Sequence, residues 1–153
     1  MQLRPLLDRF DTVASWLQSP LLLIIRGYWG FSFAQDGWRK LHHLDKITEY
    51  FGSLGIPYPQ ANAIFASVVQ LVFGSLLMIG LLSRVSALPL IGTMLVAYAT
   101  AEKDALHALF AGDPDKFTDA TPFLFLLASV IVLAFGPGKI SLDGLIFRRK
   151  SGN

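Results

Sequence analysis

Long stretches without a charged residue constrain this fold more than any other feature of the sequence. No Asp, Glu, Lys or Arg occurs in residues 50–83, 85–101 or 120–138. A helix needs about 20 predominantly apolar residues to cross a bilayer. Charged residues make up only 16% of this chain, whereas they make up about a quarter of a typical soluble domain. The sequence therefore predicts an integral membrane protein, in which residues 1–153 form a single membrane domain.

Four transmembrane helices are predicted from these stretches and from the turns that flank them. A proline-rich turn precedes the second span, and Gly136-Pro137-Gly138 ends the fourth, because proline and glycine stop helices. The first span is interrupted by Arg26, Gln35 and Asp36, but its other positions are apolar, aromatic, small or proline. The predicted fold class is an all-α bundle of four transmembrane helices, at residues 20–38, 61–82, 85–101 and 120–135.

Three amphipathic segments are predicted to lie at the membrane surface: at the N-terminus, in the first outer loop and at the C-terminus. In residues 3–17 and 44–54, apolar side chains recur at the helical spacing that places them on one face. Near the C-terminus, Ser141 is a suitable N-cap for a short helix. That helix would turn its leucine and isoleucine side chains to the bilayer. The basic residues 148–150 that follow it would favour anionic lipid.

The distribution of basic residues predicts the orientation in the membrane. Four spans place both termini on one side. Lys and Arg are more frequent in the loops that stay in the cytoplasm. Seven basic residues lie on the side of the termini and five on the other side, so both termini are predicted to be cytoplasmic. The seven are Arg4, Arg9, Arg84, Lys139, Arg148, Arg149 and Lys150, and the five are Arg39, Lys40, Lys46, Lys103 and Lys116.

Several classes of function are excluded by what the sequence lacks. With no cysteine, the chain has no disulfide framework, thiolate metal site, c-type haem attachment or thiol relay. A net charge of +2 is too small to indicate nucleic acid as a partner, and no helix-turn-helix, phosphate-binding glycine loop or HExxH motif is present. We therefore predict no nucleic-acid partner, no metal site and no intrinsic cofactor.

One face of the first span combines a charge with small residues. Arg26, Gly30, Phe33, Gly37 and Lys40 follow each other at spacings of 4, 3, 4 and 3 residues, which places them on one helix face. The two glycines allow a neighbouring helix to approach closely. An uncompensated arginine in a membrane costs about 2.5–3.5 kcal/mol on insertion scales. This face is therefore predicted to point into the bundle.

Two interpretations of Arg26 remain open at this stage. In the first, Arg26 belongs to a buried polar site and meets Gln70 of the second span, or Thr93 or Tyr98 of the third. Gln70 lies near the middle of the bilayer and Arg26 nearer the cytoplasm, so these two can touch only if Arg26 extends along the helix. In the second interpretation, Arg26 reaches out to lipid phosphate and merely anchors the helix.

Asp36 is the one acidic residue inside a predicted span, near its outer end. It is close in sequence to His42 and His43. One interpretation is a quinone headgroup or metal site at the membrane edge, where a histidine or arginine would bond a carbonyl oxygen. The other is a belt of polar residues of the kind that normally collects at an interface. Adjacent histidines are not the i, i+4 pair with which a helix holds zinc.

Four short pieces of sequence, in order between about residues 20 and 148, resemble the DoxX family of small bacterial membrane proteins. The resemblance implies a four-helix bundle in the bacterial cytoplasmic (inner) membrane. Gln70 is a departure, since many relatives are expected to carry glutamate there, and it argues against an intramembrane Arg–Glu pair. The pieces are Arg26-x3-Gly30-x2-Phe33-x3-Gly37-x2-Lys40, Phe51-x2-Leu54-Gly55-Ile56-Pro57-x-Pro59, Gly80-Leu81-x2-Arg84 and Gly136-Pro137-Gly138-x2-Ser141-Leu142-Asp143.

The resemblance implies an accessory membrane subunit of a quinone-linked redox or detoxification system. Arg26, Gly30, Gln70, Asp36 and His42 would then form the quinone site. Arg26 would stabilise a reduced quinone oxygen, and Asp36 or His42 would handle protons near the outer face. The cofactor would belong to a soluble or membrane redox partner subunit, and the sequence identifies no catalytic residue.

The alternative is a non-catalytic scaffold or assembly factor whose surface helices hold a partner protein. In that case the Arg26 face only organises the bundle. A transporter is a weaker alternative, because the sequence shows no inverted repeat and no pair of broken helices. A glycine-lined face would also suit a homodimer, and membrane lipid is a partner in every case.

Overall fold

The computed structural model describes residues 3–138 and 140–148, and the side-chain surroundings of residues 16–138 and 140–146. These residues form eight helices and no strand, so the all-helical class is confirmed. In chain order the helices are α1 (Leu3–His42), α2 (Leu44–Ser53), α3 (Pro59–Ile79), α4 (Ser83–Thr100), α5 (Lys103–Ala111), α6 (Pro114–Asp119), α7 (Pro122–Phe135) and α8 (Leu142–Arg148).

Among the described residues, α3 is the one helix that is by itself long and apolar enough to cross a membrane, with 21 residues. Helices α4 and α5 pass the same test together, but the chain bends by 82° between them. Helix α7 is apolar and has 14 residues, fewer than the about 20 that span a bilayer. Helices α3, α4 and α7 begin and end within two residues of the predicted spans, except that α3 ends three residues earlier, whereas α1 extends beyond the predicted first span at both of its ends. The described helices therefore confirm one apolar span, or two if the bent pair forms one, and the four-span arrangement stays a prediction.

Helix α1 is continuous over 40 residues and contains Pro20. The sequence predicts a surface helix followed by a separate span that begins at residue 20, and the structure joins the two. A proline removes one backbone donor and usually bends or ends a helix. Here the flanking residues, Trp16 to Gln18 and Leu21 to Leu23, include strong helix formers, so the helix continues through Pro20.

Helices α1 and α3 approach each other along the glycine face predicted from the sequence. A Cβ atom added to Gly30 would lie 2.6 Å from the backbone nitrogen of Met78. One added to Gly37 would lie 2.5 Å from both the nitrogen of Leu71 and the carbonyl oxygen of Ser67. Only glycine fits at these two positions, which confirms that this face of α1 packs against a neighbouring helix.

The core joins helices α1, α3, α4 and α7. Phe33 of α1 is 0% exposed, and its ring packs edge-to-face on Phe125 of α7 at a centroid distance of 4.7 Å. Edge-to-face contact is the favoured arrangement of two aromatic rings. The four helices that contain the predicted spans therefore share one hydrophobic core, whose buried members are Phe33, Leu77, Leu90, Met94 and Val132.

Tyr98 ties the short helix α6 to the bundle. It is buried near the end of α4, and its hydroxyl donates to the carbonyl oxygen of Phe117 at 2.7 Å. The two aromatic rings also stack, with a centroid distance of 4.5 Å. Tyr98 therefore fixes α6 through one hydrogen bond and one ring contact.

Replacing Tyr98 with phenylalanine is expected to lower the free energy of unfolding by about 1 kcal/mol, because the partly buried Phe117 carbonyl loses its hydrogen-bond donor. The thermal unfolding temperature of the detergent-purified protein measures the effect. The matched control is Tyr28→Phe, since Tyr28 is 63% exposed and loses the same oxygen at the surface. An unchanged unfolding temperature in Tyr98→Phe would contradict the assigned contact.

Candidate functional site

The structure divides the predicted site residues between two levels of α1, the middle of the helix and its C-terminal end. Arg26 and Asp36 are ten residues apart on this helix, which corresponds to about 15 Å of rise. Asp36 and Gln70 belong to a cluster near the His42 end, whereas Arg26 faces the C-terminal segment. Gly30 lies between them in the contact with α3. The predicted residues therefore form two separate polar sites and one packing contact.

Lys40 is the centre of the polar cluster near the end of α1. Its Nζ lies 2.6 Å from Oδ2 of Asp36 and donates to Oε1 of the buried Gln70 at 2.9 Å. Arg39 donates from Nη2 to Oδ1 of Asp36 at 2.8 Å. The i, i+3 and i, i+4 spacing on α1 brings both cations to Asp36. The glycine at position 37 brings α3 close enough for Lys40 to reach Gln70.

The expectation that Gln70, Thr93 or Tyr98 would meet Arg26 differs from the structure. Gln70 accepts from Lys40, Thr93 donates to the Leu90 carbonyl of its own helix, and Tyr98 donates to Phe117. The reason is the antiparallel register of α1 and α3. Position 37 of α1 lies beside Leu71, and position 30 lies beside Met78. The level of Arg26 is therefore that of the α3–α4 turn rather than of Gln70.

A cleft of about 300 Å³ opens beside Asp36 and Lys40. Three of its residues are cations and one is an acid, so the cleft is positively charged with histidine neutral. We call it the cationic cleft, and it is lined by Asp36, Arg39, Lys40, His43, Lys46 and Ile47.

His42, predicted as a site residue, does not line the cationic cleft. Its ring is exposed, lies tilted against that of Trp38 at a centroid distance of 4.3 Å and places Nδ1 2.9 Å from the Trp38 carbonyl oxygen. His43 occupies the cleft instead. A signal for this was present in the sequence, because Asp36, Lys40 and His43 follow each other at spacings of 4 and 3.

The described residues include no group of three or more His, Cys, Asp or Glu that could hold a metal ion.

Arg26 lies near the middle of α1, ten residues before Asp36, and is enclosed by other parts of the chain. Its side chain is 3% exposed, and Nη2 donates to the carbonyl oxygen of Ile140. The guanidinium packs so closely on Gly80 that no side chain would fit there. Its Nε and Nη1 are buried without a hydrogen-bond partner. The interpretation in which Arg26 reaches out to lipid phosphate is therefore not the conformation in this structure.

The C-terminal segment, residues 140–148, docks on the turn between α3 and α4 through Asp143. The carboxylate accepts from the backbone nitrogens of Leu82 at 2.7 Å and Ser83 at 2.9 Å. The backbone nitrogen of Asp143 donates to the Gly80 carbonyl at 2.9 Å. Ser141 accepts from the Gly144 nitrogen at 3.0 Å, which confirms the predicted cap of α8. Three of the four sequence pieces therefore meet at this turn.

Comparison with known proteins gives a family match and two relatives. The model of the DoxX family matches residues 21–103. "Uncharacterized membrane protein Rv3486" of Mycobacterium tuberculosis is 32% identical over 136 residues, which is 85% of this chain and 83% of that protein. "Putative oxidoreductase CatD" of Bacillus subtilis is 29% identical over 132 residues, which is 86% of this chain and 91% of that protein. No solved structure matches this chain.

Proposed function

This chain belongs to the DoxX family of membrane proteins, and we propose that it is an accessory membrane subunit of a quinone-linked redox or detoxification system. Its electrons come from a redox partner subunit that carries the cofactor. The name of the Bacillus relative supports an association with redox chemistry. The cationic cleft supports a site for a quinone headgroup in this chain.

The proposed arrangement has four spans in the bacterial inner membrane, with both termini in the cytoplasm. Helices α1, α3, α4 and α7 share one core, and each also presents large apolar side chains on its outer face, such as Ile24, Phe65, Leu88 and Leu124. Contiguous exposed apolar surface of this kind suits contact with lipid. The excess of Lys and Arg on the side of the termini supports the orientation.

The quinone site that the geometry supports best is the cationic cleft, and the observation that carries it is the position of Lys40. Its Nζ is held by Asp36 and Gln70 at the wall of the cleft. A fixed cation stabilises the negative charge that develops on a quinone oxygen during reduction. Asp36 provides a carboxylate beside that oxygen for proton transfer. In this proposal Gln70 orients Lys40, and His43 takes the place that the sequence suggested for His42.

Quinone content of the purified protein tests this site. The protein is purified in detergent, its lipids are extracted, and quinone is measured by absorbance. The wild type is expected to contain about one quinone per chain, because the cleft is a single site. Lys40→Gln and Lys46→Gln are each expected to lose most of this quinone, because both lysines line the cleft. Lys46 is exposed, so its replacement leaves the bundle folded. Lys103→Gln, at an exposed position on α5, is the matched control and is expected to retain quinone.

A non-catalytic scaffold or assembly factor is the second candidate. The close approach of α1 and α3 at Gly30 and Gly37 favours it, because the centre of this contact is filled by backbone and holds no ligand space. If the wild-type protein contains no quinone, and a partner protein co-purifies equally with the wild type and Lys40→Gln, the quinone proposal fails and the scaffold explains the result.

A further inference from the structure

Arg26 is the one buried charged residue among those whose surroundings the structure describes. Burial of a charge is costly unless hydrogen bonds and an opposite charge compensate it. The hydrogen bond to the Ile140 carbonyl uses one guanidinium nitrogen, and Nε and Nη1 have no partner. The side chain therefore retains donors that a further oxygen ligand would satisfy.

The opposite charge that acts on Arg26 is the carboxylate of Asp143. This carboxylate also accepts the backbone nitrogens of Leu82 and Ser83, where α4 begins. The amino end of a helix carries a partial positive charge and unpaired N–H groups, which favour an anion. The first turn of α4 therefore binds this carboxylate directly, and the Arg26 guanidinium, which packs on Gly80 of the turn between α3 and α4, adds positive charge nearby.

Among residues 140–146, whose side-chain surroundings the structure describes, the large apolar side chains make little contact with the bundle. Leu145 of α8 is 70% exposed, and Leu142 and Ile146 are exposed as well. The attachment of this segment is mainly polar: the two bonds of the Asp143 carboxylate, the bond from the Asp143 nitrogen to Gly80, and the bond from Arg26 to Ile140. The carboxylate that binds the start of α4 therefore belongs to a segment that is itself held mainly by hydrogen bonds.

We propose that Arg26 and the backbone nitrogens of Leu82 and Ser83 form an oxyanion site, which Asp143 closes from within the same chain. When the C-terminal segment detaches from the turn between α3 and α4, a phosphate group takes the place of the carboxylate. A guanidinium and two backbone N–H groups are typical phosphate ligands. In the proposed topology this turn faces the cytoplasmic surface of the bilayer, where lipid phosphates lie. Arg26 is ten residues from Asp36 of the cationic cleft, about 15 Å along the helix, and the site does not depend on quinone binding.

The site is tested by removing the Asp143 carboxylate and asking whether added phosphate restores the lost thermal stability. Asp143→Ala removes the carboxylate, so its unfolding temperature in detergent is expected to fall below that of the wild type. Added inorganic phosphate is expected to raise it again by several degrees in a saturable manner, compared with chloride at the same ionic strength. The wild type, whose site is occupied, is expected to show no such rise. Asp104→Ala, which removes an exposed carboxylate, is the matched control and gains no response.

The role of Arg26 is tested in the double variant Arg26→Met with Asp143→Ala, in which the phosphate response is expected to disappear. Phosphatidylglycerol and phosphatidylcholine micelles, added in place of phosphate, identify the source of the ligand. A response to phosphatidylglycerol but not to free phosphate assigns the site to a lipid headgroup. The proposal is overturned if Asp143→Ala responds to neither phosphate source, or if the response persists without Arg26. Should Asp143→Ala fail to fold, Asp143→Asn, which keeps the side-chain shape, takes its place in the same titration.

Discussion

Gly74→Ala is expected to lower the unfolding temperature of the protein strongly, because the added methyl group meets the backbone of α1. The added Cβ would lie 2.7 Å from the backbone nitrogen of Ala34 and 2.9 Å from the carbonyl oxygen of Gly30. Backbone atoms cannot rotate away, so the two helices must separate. Overpacking costs up to about 3 kcal/mol, which corresponds to roughly 6–12 °C for a chain of this size.

The matched control for Gly74→Ala is Gly92→Ala. Gly92 lies inside α4, and no neighbouring heavy atom comes within 4 Å of its added Cβ. Alanine favours a helix over glycine by about 1 kcal/mol, so this variant is expected to keep or raise the unfolding temperature. An equal fall in both variants would show that glycine acts through local helix stability and not through the contact between α1 and α3.

Phe33→Ala is the second change with a large expected effect. Phe33 is 0% exposed and belongs to the core shared by four helices. Large-to-small changes at such positions in soluble proteins cost about 3–5 kcal/mol. Lipid tails are as apolar as the side chains, so transfer from water contributes little between membrane helices. The loss comes from the cavity and from the Phe125 contact, and we expect about 3 kcal/mol, at the lower end of that range.

Phe31→Ala provides the control on the same helix. Phe31 is 54% exposed, and two residues along a helix it points away from the core face. Its replacement removes the same ring from a surface that the proposed topology turns to lipid, with little effect on unfolding. Chemical unfolding in mixed micelles compares the two variants. Equal losses of stability at the two positions would contradict the assignment of Phe33 to the core.

The sequence predicts those parts of the molecule that depend on local pattern. Charge-free stretches locate the apolar helices, and the spacing of Gly30 and Gly37 predicts the face of α1 that contacts α3. The cap at Ser141 also follows from local chemistry. Each of these features depends on residues within a few turns of one another, so helical periodicity is sufficient to find them.

The partners of Arg26 and Lys40 could not be predicted in the same way. Which residue of α3 faces a given residue of α1 depends on the antiparallel register of the two helices, which are far apart in sequence. Asp143 caps the start of α4 across 61 residues of sequence from Leu82, and no local pattern reports such a contact. Asp143 belongs to one of the four motifs, but its sequence position predicts no partner. In the structure its carboxylate accepts two backbone N–H groups of the turn between α3 and α4.

The unbroken α1 also has a geometric consequence. Its 40 residues correspond to about 60 Å of helix, twice the about 30 Å of a bilayer's hydrocarbon core. About half of the helix must therefore lie outside the hydrocarbon core, whichever part of it crosses the membrane. Sharp bends in helices occur mostly at proline, so Pro20 marks the place where the surplus turns would leave the line of the span and lie along the membrane surface.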